Sequence, residues 1–146
     1  MERTRKYQSK NASSEFVAGV YPVSDVTTPM TGTSLEAIIY KEINIEVSTW
    51  KDFFNKICEI VYNEDAELFK RIVKENRIHK ATSVRNYPDK DPVISEDLNK
   101  LVGAKKIGAT SYYSEGTLSS TRARIYAKQL LDIYGMTGNI DIYVRE

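Results

Sequence analysis

The sequence predicts an α+β domain in which a single small mixed sheet is covered by two main helices, with a flexible N-terminal arm. Two long apolar stripes follow the helical period, and short segments of alternating apolar and polar residues surround them. A polar leader without a sustained period precedes both. We assign residues 1–34 to the arm and residues 35–146 to one domain, because helices interspersed among short strands are typical of this class.

The expected arm is rich in Ser, Thr, Asn and Lys, and it contains Pro22 and Pro29. Partial order is expected around residues 16–23. The arm is either a solvated leader or linker, or a segment whose cations contact an acidic partner. Those cations are Arg3, Arg5, Lys6 and Lys10.

Residues 35–47 are expected to form two strands joined as a hairpin. Residues 37–40 are a short apolar run, and the following residues alternate in polarity through Ile43 and Ile45. The turn falls at Lys41 and Glu42, residue types that tight primed turns do not favour.

A helix is predicted to begin at Ser48 and Thr49, with Asp52 in a variant of the capping box. A shorter helix follows a break at residues 63–65. The apolar stripe of the first helix comprises Trp50, Phe53, Phe54, Ile57, Cys58 and Val61. This helical spacing favours core packing over a base-stacking platform, and an inert buried thiol over a nucleophile.

The middle of the chain has weaker signals. His79 lies in a polar stretch without metal or catalytic partners nearby, and we interpret it as a surface residue. Residues 81–87 are expected to form a strand, and residues 96–101 a short helical turn. Another strand is expected around Tyr112 and Tyr113.

The clearest helix start lies at Ser119, Ser120 and Thr121, all of which can cap free amides. Gly135 follows the helix as a C′ residue. The stripe of this helix comprises Ala123, Tyr126, Ala127, Leu130, Leu131 and Tyr134. After a turn at residues 137–139, alternation over residues 140–144 predicts a final strand.

The segment from residue 100 to residue 128 is basic, with six cations against Glu115 and a local balance of +5 in a chain of net charge +1. Open helix amides, hydroxyls and arginines together suit a phosphate or another anion. Gly103, Gly108 and Gly116 would permit close backbone approach. The predicted ligand residues are Lys105, Lys106, Tyr112, Tyr113, Ser119, Ser120, Thr121, Arg122 and Arg124. The alternative is an ordinary capped helix with a solvated cationic face, whose compensating acid is Glu115.

Composition sets further bounds. The glycine spacing matches neither a Walker loop nor a dinucleotide fingerprint, so no cofactor is predicted. With one cysteine and one histidine, we expect no internal disulfide and no metal site. No apolar run has the length of a membrane span, and the first residues lack the apolar core of a signal peptide. We therefore expect a cytoplasmic protein that does not contact membranes.

From about residue 37 onward, the chain resembles a small prokaryotic module that accompanies restriction-type and phage-defence proteins. Four segments carry the resemblance: residues 48–59, residues 105–108, Glu115 with Leu118 and Ser119, and residues 130–143. The resemblance implies a defence-related binding or accessory domain, either C-terminal or stand-alone. It implies no catalytic residues.

The leading functional hypothesis is a non-enzymatic module that binds a phosphate-bearing ligand, either nucleic acid or a nucleotide. A phage-encoded protein that sequesters a signalling nucleotide is a variant of it. The alternative is a protein-interaction or homo-oligomerisation module, which the ten tyrosines favour. An enzyme ranks third, because the sequence contains no recognisable catalytic signature.

Overall fold

The computed structural model describes residues 19–30, 32–87 and 89–145. Within this part of the chain, seven strands and three α-helices form, and the predicted α+β class is confirmed. The elements are β1 (Gly19–Pro22), β2 (Ser34–Tyr40), β3 (Ile43–Glu46), α1 (Trp50–Glu64), α2 (Ala66–Lys74), β4 (Ile94–Ser95), β5 (Lys105–Lys106), β6 (Tyr113–Ser114), α3 (Ser120–Tyr134) and β7 (Ile140–Arg145).

The larger sheet has four antiparallel strands in the order β1-β7-β2-β3. The final strand β7 lies inside it, and its Ile142 pairs with Tyr21 of β1 and with Ile38 of β2. Alternation turns Ile140, Ile142 and Val144 toward one face. All three are buried in the same core cluster as residues of α1 and α3. The predicted final strand is therefore confirmed.

The predicted hairpin joins β2 to β3. Its turn residues Lys41 and Glu42 have φ angles of 53° and 64°. Two successive positive φ angles are what a type I′ turn requires, and this turn matches the twist of the flanking strands. The pairing places Ile38 opposite Ile45. The turn therefore forms at the expected position, although neither residue type favours it.

A second, three-stranded antiparallel sheet has the order β4-β6-β5. The single mixed sheet expected from the sequence is thus divided in two, and the strand pairs that the structure describes are all antiparallel. Tyr113 pairs with Ser95 on one side and with Lys106 on the other. Each strand of the second sheet has only two residues, which is below the usual strand length.

Residues 81–87 form a loop where the sequence predicts a strand. The Ser83 Oγ atom accepts hydrogen bonds from the backbone N–H groups of Arg85 (3.3 Å) and Asp91 (3.0 Å). Serine side chains that bind nearby amides in this way compete with strand pairing, which explains the difference. His79 forms an isolated bridge with Pro92 and is half-buried, so its interpretation as a surface residue is also corrected.

The boundary expected after residue 34 is corrected as well. Residues of β1 pair with β7, and Val23 and Met30 are buried in the core. Residues 19–30 therefore belong to the folded domain. The sequence signal is weak because β1 is short, lies at the edge of the sheet and ends in Pro22, which an edge strand tolerates. Residues 1–18 and residue 31 of the expected arm lie outside the described residues, and Ser34 already belongs to β2.

Helices α1 and α3 pack against each other, and both begin as predicted. The Thr49 side chain accepts a hydrogen bond from the Asp52 N–H group (3.0 Å). The Ser119 side chain accepts one from the Arg122 N–H group (3.1 Å). Gly135 ends α3 with a φ angle of 69°. Local capping chemistry therefore sets the position of the α3 start, on which the anion-site hypothesis rests.

The aromatic stripe of α1 packs in the core, as predicted. Phe53, Phe54 and Cys58 are fully buried, and the Trp50 ring meets the Phe53 ring edge-on at 5.3 Å. Burial raises the pKa of the Cys58 thiol well above its ordinary value. A thiol that stays protonated and inaccessible is a poor nucleophile, which agrees with the interpretation of Cys58 as inert.

Candidate anion-binding site

Arg124 is buried and is therefore not accessible to a ligand. Its side chain is 1% exposed. Its Nη1 atom donates to the backbone oxygen of Asp25 (3.2 Å), and its Nε atom donates to that of Ser120 (3.3 Å). The guanidinium carbon lies 5.9 Å from the centre of the Trp50 ring. Burial lowers the pKa of Arg124, which the Asp25 carboxylate partly opposes. The predicted phosphate contact is therefore wrong, and this arginine ties α3 to the segment after β1.

Tyr112 is also removed from the predicted ligand surface. It is 8% exposed. Its ring meets the Phe69 ring edge-on at 5.1 Å and lies 6.1 Å from the Tyr62 ring. Burial raises the pKa of its hydroxyl. A ring enclosed in the core cannot stack on a base, so this prediction is corrected, whereas Tyr113 on β6 stays half-buried.

Lys105 and Lys106 lie in a shallow groove beside the first turns of α1. The Lys105 Nζ atom lies 2.6 Å from the Asp52 carboxylate, and this hydrogen bond lowers the pKa of Asp52. Three lysines and three acids line the groove, so it carries no excess charge: Lys56, Lys105, Lys106, Glu46, Asp52 and Glu59. This lysine pair therefore lacks the positive potential that the sequence suggested.

A buried amide fixes the backbone of that lysine pair. The Asn55 side chain is 5% exposed. Its Nδ2 atom lies 3.3 Å from the backbone oxygen of Lys105, 3.0 Å from that of Lys106 and 2.8 Å from the Ser114 Oγ atom. These contacts hold β5 and β6 on α1, which makes the groove mainly a structural contact between the second sheet and the helix.

The start of α3 retains the predicted anion-binding features. The Ser119 side chain caps the Arg122 amide. The amides of Ser120 and Thr121 donate to no acceptor within residues 19–30, 32–87 and 89–145. The half-buried Arg122 side chain forms no ion pair with any described acid. Three positive features, two open amides and one unpaired guanidinium, therefore remain at this helix end.

Arg122 lines a cleft of about 250 Å³. The cleft also contains hydroxyl groups, apolar side chains and one acid-base pair. Its other lining residues are Lys80, Thr82, Val102, Glu115, Thr117, Leu118 and Tyr126. Sequence reasoning missed Lys80 and Thr82, because they come from the irregular segment that follows α2.

The Glu115 carboxylate forms the buried wall of this cleft. It is fully buried, and its Oε1 atom lies 3.3 Å from the Lys80 Nζ atom. The carboxylate also accepts hydrogen bonds from the N–H groups of Val102 and Thr117, both at 3.2 Å. Glu115 thus pairs with Lys80 rather than compensating the cations of α3. The charge on Arg122 is the one left unbalanced among the described cleft residues.

Two glycines explain how Glu115 reaches this position. The chain crosses itself at Gly103 and Gly116, where a Cβ atom on Gly116 would lie 2.0 Å from the Gly103 carbonyl oxygen. The Gly116 amide donates to the Val102 oxygen (2.9 Å). Gly103 and Gly116 permit a close backbone approach, as the sequence indicated, but they approach each other and not a ligand. Their crossing places two amides against the Glu115 carboxylate.

Tyr126 connects the cleft to the segment that carries Lys80. Its hydroxyl oxygen accepts a hydrogen bond from the Ala81 N–H group (3.1 Å). Because Tyr126 is buried on α3, this contact fixes the backbone between Lys80 and Thr82. The cleft is therefore assembled from three parts of the chain that tertiary contacts bring together.

The fold defines the chain as a small α+β domain. Comparison with known protein families, with curated proteins and with solved structures finds no match. None of the helices in the described ranges is long and apolar enough to cross a membrane. Among the same residues, no three His, Cys, Asp or Glu side chains converge as a set of metal ligands.

Proposed function

We propose that the chain is a non-enzymatic binding module that takes a phosphate-bearing ligand in the cleft at the start of α3. The observation that carries the proposal is the position of Arg122, unpaired within the described residues and on the same helix turn as the open amides of Ser120 and Thr121. One guanidinium group can donate to two oxygens of the same phosphate, and the amides at a helix N-terminus favour negative charge. Lys80 lines the same cleft, where Glu115 already balances its charge, so Arg122 carries the unbalanced charge.

The size of the cleft favours nucleic acid over a free nucleotide. At about 250 Å³ it is below the range of about 300–1,000 Å³ that encloses a complete small ligand. It has room for one phosphate and its nearest atoms, with the remainder of the ligand outside. A backbone phosphate of DNA or RNA meets that condition, because the polymer continues across the surface.

The proposal excludes catalysis for a chemical reason. The acid in the cleft, Glu115, already accepts from Lys80 and from two backbone amides, so it is poorly placed to take a proton from a ligand. The cysteine is buried elsewhere. General acid-base and nucleophilic mechanisms need free groups within hydrogen-bond reach of the substrate.

The setting of this activity is proposed on the resemblance described above. A cytoplasmic accessory domain of a defence protein would meet nucleic acid routinely. The net charge of +1 favours recognition of nucleic acid at one local binding site over indiscriminate coating of it.

Protein interaction is the second candidate, and exposed apolar side chains support it. Val84 is 95% exposed, and Tyr87 and Val102 are each 57% exposed. The tyrosines as a group give less support than the sequence suggested, since Tyr112 and Tyr126 are buried in the core. Light scattering over a range of protein concentrations distinguishes the two candidates, because an oligomer that covers Val102 also covers the cleft it lines.

The test of the first candidate measures binding of labelled duplex DNA, single strands and mononucleotides at two salt concentrations. We expect binding at low salt that weakens as salt rises. The substitution Arg122→Glu should reduce affinity at least tenfold and lower the salt slope by about one. The control Lys70→Glu makes the same charge change at an exposed position on α2 and should have little effect. Absence of binding at low salt, or equal losses in both variants, would overturn the proposal.

A further inference from the structure

A second recess, of about 650 Å³, lies away from the cleft. It is bounded by the C-terminal end of α2, by Arg85, by residues 89–92 and by the segment that follows β4. Val73, Pro92 and Ile94 supply apolar side chains to its lining, and Asn76 and Asn99 supply side-chain amides. Its volume falls in the range of about 300–1,000 Å³ typical of sites that enclose a complete small ligand.

The recess carries an excess of positive charge. Four cations line it, against Asp89 and Asp91: Lys74, Arg85, Lys90 and Lys100. The Arg85 Nε atom lies 3.1 Å from the Asp91 carboxylate, so these two charges cancel. Three lysines then face one acid. Within the described residues, neither Lys74 nor Lys100 forms an ion pair.

Hydrogen bonds hold the wall of the recess in place. The Asn76 side chain donates to the backbone oxygen of Lys90 (2.7 Å). The Lys90 Nζ atom donates to the backbone oxygen of Arg85 (3.1 Å), which orients its charge without neutralising it. The Tyr87 hydroxyl donates to the backbone oxygen of Glu75 (2.8 Å), which ties the loop to the end of α2. The cations are therefore presented by a backbone that is already organised.

We propose that this recess binds a small polyanion with at least two phosphate or carboxylate groups. Three lysine ammonium groups around one volume favour a compact ligand of high charge, because each ammonium group acts as a point charge that phosphate and carboxylate both satisfy. The side chains of Val73 and Ile94 give the uncharged part of such a ligand an apolar contact. This site is separate from the cleft of Arg122 and does not depend on the function proposed for it.

The experiment titrates the ¹⁵N-labelled chain, without divalent metal and at low salt, with pyrophosphate, citrate and ATP. We expect saturable shifts of the amides of Asn76, Ile94, Asn99 and Lys100. Equal affinity for citrate and pyrophosphate would mean that charge alone is recognised. Preference for pyrophosphate and ATP would identify a phosphorylated ligand. Absence of saturable shifts with all three, or shifts confined to the start of α3, would overturn the proposal.

Variants separate this site from the cleft. The double substitution Lys74→Gln and Lys100→Gln should weaken polyanion binding at least tenfold. The control Lys51→Gln and Lys106→Gln removes two positive charges elsewhere and should leave affinity within about twofold. Arg122→Glu should also leave it unchanged. If both double variants lose affinity equally, binding is non-specific and the inference fails. If Arg122→Glu abolishes polyanion binding instead, the ligand belongs to the cleft.

Discussion

Arg124 lies against Trp50, with 5.9 Å between the guanidinium carbon and the centre of the indole ring. The same guanidinium group donates to the backbone oxygen of Asp25, which is 99 positions away in the sequence. One cation thus joins α3, the first turn of α1 and the segment after β1. A role in stability replaces the ligand contact that its position at a basic helix start suggested.

We therefore expect Arg124→Ala to lower the free energy of unfolding by about 2–3 kcal/mol, because two hydrogen bonds from a charged donor and the packing of its stem are lost. Urea denaturation measures this change. The control Arg122→Ala, two residues earlier and half-buried in the cleft, should change stability by no more than about 0.5 kcal/mol. Equal effects of the two substitutions would contradict the assignment.

The burial of Arg124 illustrates what the sequence can and cannot predict. The two long helices and the final strand were predictable, because local periodicity and capping define them. A signal for Arg124 also existed: it precedes Ala127 by three residues and Leu131 by seven, so it lies on the edge of the apolar stripe. Its partner Asp25 was not predictable, since tertiary packing alone brings that segment to α3.

The contacts in the cleft could not be predicted from the sequence either. Glu115 and Lys80 meet because the chain crosses at Gly103 and Gly116, and no local pattern encodes which residues lie opposite that crossing. The division of the sheet was missed for a related reason. Strands of two residues have no period to detect, so only their pairing reveals the second sheet.

The contact between Glu115 and Lys80 provides a second prediction. Glu115→Gln should lower the free energy of unfolding by about 2–3 kcal/mol, because the neutral side chain no longer satisfies both the backbone amides and Lys80. Lys80→Met should cost less, about 1 kcal/mol, since the Lys80 side chain is 26% exposed and the amides remain bonded. Chemical denaturation of both variants and of the double variant measures the coupling. A larger effect for Lys80→Met would show that the amides contribute little.

Asp52 provides a prediction for the pH dependence of stability. The hydrogen bond from Lys105 lowers the pKa of Asp52 below its ordinary value of 3.8. A carboxylate with a lowered pKa in the folded state stabilises the fold above its unfolded pKa, and this contribution is lost as pH falls through the folded value. Because both side chains are partly exposed, the contribution should be about 0.5 kcal/mol.

The measurement compares the wild-type chain with Asp52→Asn by urea denaturation between about pH 7 and pH 2.5. The difference in unfolding free energy should be present above about pH 4 and should shrink in more acidic solution. Lys105→Met removes the other side chain of the same ion pair and should reproduce the pattern. A difference that grows as pH falls would reverse the expected sign.

The crossing of Gly103 and Gly116 is a sharply constrained point next to Val102 and Thr117, two residues that line the cleft. A Cβ atom on Gly116 would lie 2.0 Å from the Gly103 carbonyl oxygen, which belongs to the backbone and cannot move aside as a flexible side chain could. Gly116→Ala should therefore cost about 3 kcal/mol or prevent folding. Gly138→Ala is the control, because a Cβ atom there meets nothing within 4 Å, and its effect should stay within about 0.5 kcal/mol.

Combining Gly116→Ala with Glu115→Gln tests whether the crossing acts through the carboxylate. If the added methyl group moves the amides of Val102 and Thr117 away from Glu115, the bonds that Glu115→Gln would weaken are already lost. The loss of unfolding free energy in the double variant should then be smaller than the sum of the losses in the two single variants, as expected for residues that share partners. Strict additivity in chemical denaturation would mean that the glycines relieve a steric contact without positioning the buried acid.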